Sequence, residues 1–271
     1  MAMHILVCIK QVLDPEIPPA LFRVNRAERR ADVPGAAWVM STFDANALET
    51  ALQLRDALGA GSSVTALSLG PREAETVLRK ALGVTADSAV LLSGPELGGL
   101  DSAGVATAIA AAVRRLGDEG RPVDLVLTGR QAADWEHGQT GGMIAEALGW
   151  PCLTFASRLR PVPGGLEARR EVEDGHEIVV AHPPLVATIT NDATNRLRLA
   201  KVRDVMRAHR TPIATWGAAE VGLDVGELAP RTEVVDLVVP ERESHCELVG
   251  GETPAEQAAT LARRLRDLGI L

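Results

Sequence analysis

Between Val126 and Gly149 the chain reads VLTGRQAADWEHGQTGGMIAEALG: an apolar strand ending in glycine, a polar loop, then two more glycines opening a helix. The first turn of a helix carries unpaired N–H groups and partial positive charge, so this order suits a small anionic ligand. Gly129 lets the backbone turn close to such a ligand, while Gln131, Asp134, Gln139 and Thr140 offer polar groups for a base, ribose or phosphate. By length and polarity alone the same loop is equally an ordinary connection from strand to helix.

Other chemistry is scarce. A Walker loop needs Lys-Ser/Thr after its last glycine, and Gly141-Gly142-Met143 offers neither; no GxGxxG follows the first strand. GGLDS at Gly98–Ser102 resembles the phosphate loop of ATP pyrophosphatases, but Leu97 stands where the leading serine belongs, so Asp101 or Ser102 reads as a helix cap. There is no GxSxG elbow, and the lysines are Lys10, Lys80 and Lys201 alone. Cys8, Cys152 and Cys246 are distant and odd in number, which writes neither a disulfide framework nor a CxxC metal site, and Cys8 reads as a buried, inert thiol. His137 follows Asp134 and Glu136 without helical ligand spacing, so no metal is expected there. The chain reads as a holder of redox or nucleotide chemistry carried out by another group.

A formal net charge of -8 over 271 residues argues against nucleic-acid binding by the whole surface. One local exception is NRLRLAKVRDVMRAHR, with Arg196, Arg198, Lys201, Arg203, Arg207 and Arg210 against the single acid Asp204. It reads either as a solvated face or, through Val202 and Met206 at helical spacing, as an apolar anchor in a positive ring for an acidic protein. No apolar run is long enough to span a membrane and the N-terminus lacks the order of a signal peptide, so the expected location is the cytoplasm, without membrane insertion.

The elements that must position these residues alternate. HILVCI, SVTALSL, AVLL and DLVLTG are each followed by a helical pattern, beginning at Asp44, Pro71, Ser102 and Gln139. That is the rhythm of a parallel sheet covered on both faces, an α/β protein. Asp44 is expected as an N-cap, with Leu48, Ala51, Leu52 and Leu58 on one side of its helix, and Pro71 as a first helical residue. After Gly149 the rhythm breaks into a hairpin turning at Asp174-Gly175, a strand after Pro183-Pro184, the basic stretch, a Gly/Pro-rich run and a closing helix from Pro254 to Leu268. A tail without its own core needs another surface, such as a second subunit.

HILVCIKQVLD, MSTFDANALETALQLRD, GRQAADWEHGQTGG and RREVEDGHEIVV followed by PPLVAT occur in this order. With them the whole chain resembles the beta subunit of electron transfer flavoprotein, the group that includes the FixA-type proteins. Departures are Leu13, Ser41-Thr42 in place of Asn-Pro, Trp135 in the loop, Ala168 and Ala187, and a basic segment without its usual prolines.

The resemblance implies a three-layer α/β/α domain over residues 1–190, adenine-nucleotide-hydrolase-like or Rossmann-like, with an extended C-terminal arm over 191–271 that packs on an alpha subunit. It implies an electron carrier rather than an enzyme: a heterodimer whose FAD is held mainly by alpha, with AMP in beta. In the bifurcating branch a second FAD takes that pocket and NADH docks nearby. The pocket would comprise the backbone at Cys8, then Met40, Ser41, Thr42, Phe43 and Asp44, Leu69, and Gly129, Arg130, Gln131, Ala132, Asp134, Gln139, Thr140 and Gly141. Phe43 would approach the alpha-bound flavin, and Val202, with Arg203 and Met206, would dock an acyl-CoA or other flavin dehydrogenase that feeds a quinone-linked acceptor. The competing class is a stand-alone ATP-binding protein of universal-stress type, which predicts a monomer without a flavoprotein partner.

Overall fold

Apolar runs with no polar face become strands buried on both sides, and they assemble into one sheet. The computed structural model describes residues 2–240 and 246–271. In chain order the elements are β1 (His4–Cys8), α1 (Thr42–Leu58), β2 (Ser63–Leu69), α2 (Glu75–Gly83), β3 (Ser88–Leu92), α3 (Ser102–Asp118), β4 (Leu125–Gly129) and α4 (Thr140–Leu148). There follow β5 (Cys152–Val162), β6 (Gly165–Val172), β7 (Gly175–Ala181), β8 (Leu185–Ile189), α5 (Val202–Arg210), β9 (Ala214–Trp216) and α6 (Pro254–Asp267). Short strand pairs outside the main sheet lie between β1 and α1.

The nine strands lie in the order β7-β6-β5-β8-β4-β1-β2-β3-β9. Pairings from β5 across to β9 are parallel, and β6 pairs antiparallel with both β5 and β7. Helices α1 and α2 cover one face, where Leu48, Leu52 and Leu78 meet Ile5, Val7 and Leu127. Helices α3 and α4 cover the other, where Ile109, Leu116 and Ile144 meet Leu6 and Val126. The three-layer α/β expectation is borne out. Because β1 leads to α1 on one face and its neighbour β4 leads to α4 on the other, the connections diverge at their carboxyl ends and leave a crevice there.

Local expectations fared unevenly. Asp101 caps α3, its Oδ1 accepting the Gly104 N–H at 2.9 Å. Asp44 is not a cap: Ser41 holds that position and Asp44 sits buried inside the first turn, because its carboxylate serves other amides. Pro71 precedes a single 3-10 turn, Arg72–Ala74, and α2 begins only at Glu75. Val172 pairs with Gly175, so the hairpin turns at Glu173-Asp174, one residue earlier than expected. The chain after Thr190 returns to the body, with α5 packed on α2 and β9 extending the sheet beside β3.

Beyond Leu228 the chain leaves the body. Asp101 Oδ2 accepts the N–H groups of Arg231 at 2.7 Å and Thr232 at 3.0 Å, and exposed pairs Arg29–Glu233 and Arg26–Asp236 follow. Helix α6, capped by Thr253, has no buried residue.

One carboxylate therefore caps a helix with one oxygen and tethers the arm with the other. Asp101→Ala is expected to lower stability by about 1 kcal/mol through the lost cap. Asp101→Asn keeps a capping oxygen but turns an amide NH2 toward two donors, so its thermal midpoint should stay near wild type while tryptic cleavage after Arg231 accelerates. An unchanged cleavage rate would mean that Asp101 does not hold the arm.

Candidate functional site

The crevice is built by one buried carboxylate. Asp44 Oδ2 accepts the Lys10 N–H at 2.8 Å, just past β1, and Oδ1 accepts the Gly129 N–H at 3.0 Å, at the end of β4. A Cβ at Gly129 would stand 2.5 Å from Asp44 Oδ1 and 2.8 Å from Phe43 Cβ, so only glycine lets α1 sit this close. Burial pushes the Asp44 carboxyl up to about 7, against the pull of the Lys10 and Gly129 amides.

The loop after β4 is pinned at several points. The Arg130 N–H donates to Ile189 O at 2.8 Å, and the Ala133 N–H to Ser41 Oγ at 3.3 Å. Lys10 Nζ reaches both Asp134 oxygens, at 2.6 and 2.8 Å, closing the loop over the exit of β1. The Arg130 guanidinium carbon lies 4.5 Å from the Phe43 ring centroid and 5.8 Å from that of Phe155, which is itself held at φ 56°. Trp135 remains 43% exposed, tilted against His137 with ring centroids 5.6 Å apart, so its indole does not fill the crevice.

At the start of α4, Gln139 takes the cap position without a side-chain bond, and the first turn is left uncapped. Beneath it, Gly141 packs so closely that a Cβ would lie 2.8 Å from Thr128 Oγ1 and collide with Thr188. The Thr128 hydroxyl is buried with no hydrogen-bond partner. Uncapped amides at a helix start cleared of side chains are a place built for an anionic acceptor.

The structure brings Met40, Ser41, Thr42, Phe43 and Asp44 together with Gly129, Arg130, Gln131, Ala132 and Asp134, and puts Gln139, Thr140 and Gly141 at the α4 start. Cys8 and Leu69 end adjacent strands at this edge, and burial pushes the Cys8 thiol up, against any nucleophilic role. Val202, Arg203 and Met206 lie elsewhere, on α5, beside an open hollow that Arg203, Met206, Arg207 and Arg210 line. Sequence reasoning missed Thr128, which reads as a β-branched filler in an apolar strand, and the double service of Lys10.

An open parallel sheet with a glycine-cleared, uncapped helix start at its switch point defines an α/β protein with a ligand crevice at the strand ends. A family model for the electron transfer flavoprotein domain matches residues 34–221. The chain is 37% identical to protein FixA of Bradyrhizobium diazoefficiens, over 82% of this chain and 76% of that protein. It is 36% identical to the electron transfer flavoprotein subunit beta of Megasphaera elsdenii, over 94% of each. It is 32% identical to the caffeyl-CoA reductase-Etf complex subunit CarD of Acetobacterium woodii, over 99% of this chain and all of that protein. The chain belongs to the electron transfer flavoprotein family, with FixA-type and beta-subunit members among its relatives. Among the described residues no helix is long and apolar enough to cross a membrane.

The raised Asp44 carboxyl makes a signed prediction. The folded chain binds this proton more tightly than the unfolded chain, whose aspartate titrates near about 4. The contribution is fully present below about 4 and is lost as pH rises through about 7. The thermal midpoint of wild type should therefore fall more steeply between pH 5 and pH 8 than that of Asp44→Asn. Parallel profiles would remove Asp44 as a titrating group in that window.

Proposed function

We propose that this chain is the beta subunit of a heterodimeric electron transfer flavoprotein, an electron carrier that holds AMP in its crevice. The carrying observation is the uncapped, glycine-cleared start of α4 at the carboxyl edge of the sheet. The amides of Thr140 to Gly142 would take the phosphate, and the loop from Gly129 to Gln139, with Cys8, Leu69 and Met40 to Asp44, would enclose the nucleoside. FAD, held mainly by the alpha subunit, supplies the electron-carrying chemistry when bound. Phe43, half-buried at the edge of the crevice, would face it.

The part beyond Leu228, which leaves the body and ends in a helix with no buried residue, supports an embrace of the alpha subunit. This disfavours a stand-alone nucleotide binder. Val202 and Met206, 79% and 57% exposed within a cationic ring, suit docking of an acyl-CoA or other flavin dehydrogenase ahead of a quinone-linked acceptor. A second reading has FAD in place of AMP and NADH oxidised nearby. It starts from end-to-end likeness to CarD, whose name puts that subunit in a caffeyl-CoA reductase-Etf complex.

Co-purification with the alpha subunit, denaturation and nucleotide chromatography separate the readings: one FAD and one AMP per heterodimer is expected, and two FAD would select the second. Gly141→Ala would drive a methyl into Thr188 and Thr128, so the first turn of α4 must shift and carry its amides away from the phosphate. AMP affinity should fall roughly tenfold, by about 1.4 kcal/mol, the scale of one hydrogen bond. Unchanged affinity in a titration would place the phosphate elsewhere. For docking, Val202→Glu should slow reduction by an acyl-CoA dehydrogenase while FAD and AMP content stay at wild type.

A further inference from the structure

Helix α1 carries a polar column that the crevice does not use. Asn46, Glu49, Gln53 and Asp56 recur three, four and three residues apart, on one flank, and all four grip the segment that leads into α5. Asn46 Nδ2 donates to Asn195 O and Oδ1, both at 3.0 Å. Gln53 Nε2 donates to Thr194 O at 2.7 Å and to Glu49 Oε1 at 3.0 Å. Glu49 is buried, and its Oε2 accepts the Arg198 backbone N–H at 2.9 Å and Nε at 3.0 Å, while Oε1 accepts Nη2 at 3.0 Å. Arg198 Nη1 reaches on to Asp56 Oδ2 at 2.9 Å.

The very next residue, Leu199, is 94% exposed. A long apolar side chain fully in water beside a multiply bonded ion pair whose carboxylate is buried is an unusual pairing. The chain is held rigidly from below and presents a knob above. Residues Arg196 to Lys201 adopt neither helix nor strand, so their conformation rests on this side-chain grip rather than on a backbone ladder. The same helix carries Phe43 and Asp44 in its first turn, so its polar column sets where Leu199, Val202 and Met206 stand relative to the crevice.

We infer that Glu49 is a positioning residue for partner docking: through Arg198 it fixes an apolar ridge, formed by Leu199, Val202 and Met206, relative to the helix that carries Phe43. The exposed cations Arg196, Lys201, Arg203 and Arg207 are interleaved with the ridge along the chain, which fits a protein with an apolar socket rimmed by carboxylates. This inference rests on the docking role proposed above for Val202.

The test uses the FAD- and nucleotide-loaded heterodimer with an acyl-CoA dehydrogenase as electron donor, and deazaflavin photoreduction as a donor that needs no docking. Glu49→Gln should raise KM for the dehydrogenase roughly fivefold or more, leave kcat at saturation and the photoreduction rate unchanged, and retain cofactor content. Arg198→Lys, which keeps the charge but loses the planar fork, should give an intermediate KM. Leu199→Ser should raise KM in the same way. If Val202→Glu raises KM but Glu49→Gln and Arg198→Lys do not, the positioning role is overturned and the docking role stands. If Val202→Glu is also silent, the docking role itself falls and takes the inference with it. Should Glu49→Gln lose its cofactors, Arg198→Lys decides: a wild-type KM overturns the inference.

Discussion

The carboxylate of Asp44, shared between the amides of Lys10 and Gly129, is the constraint on which the rest of the crevice depends. At the carboxyl edge of a parallel sheet the ladder stops and backbone amides need new acceptors. A loop carbonyl can serve one of them; a carboxylate entering from a neighbouring helix can serve two and thereby tie two strands and a helix at one point. The tie requires a missing side chain at Gly129, and that absence brings Phe43 against the strand end and lets Arg130 lie over its ring. Ser41 and Lys10 then bind the loop from the α1 side and from the β1 side. Burying this carboxyl costs stability near neutral pH, which is the opposite of what an ordinary structural aspartate does.

How far this was legible in the sequence depends on what each residue could be confused with. Strands buried on both faces have one sequence appearance, so β1, β2, β3 and β4 stand out from apolar runs alone. The edge strand β9 is three residues long and leaves no pattern, and β5 mixes buried and exposed positions along its length. Asp44 was misread because a short carboxylate just before an apolar helix looks the same whether it caps that helix or reaches sideways to a sheet. Asp101 was read correctly because its work is local. The gathering of the Met40 to Asp44 segment with the Gly129 to Gly141 loop was legible only through the order and spacing of the motifs, since contact across 85 residues of chain separation has no local sign.

The column Asn46, Glu49, Gln53 and Asp56 illustrates the same limit. Polar residues at helical spacing usually mean a solvated face, and nothing in the helix itself says that Glu49 is buried. The answer lies in the partner: Arg198 sits in a basic run that also looks solvated. Each half looks like ordinary surface, and only the fold makes them an ion pair with a buried carboxylate. Removing Arg198 would strand the buried carboxylate of Glu49, so a pair of this kind constrains position more firmly than it adds stability.

The two ends of the arm obey different physics, and the contrast assigns them different work. Its beginning is tied to the body by hydrogen bonds from Arg231 and Thr232 to the same aspartate that caps α3, so the direction of departure is set by the domain alone. Its end, α6, is a 14-residue helix with no buried residue, although Leu261, Leu265 and Leu268 recur at helical spacing along it. An isolated helix of that length is marginal in water, and its apolar stripe gains nothing until another surface covers it. The domain therefore sets the direction in which the arm departs, while the apolar stripe of its far helix is left uncovered by the domain.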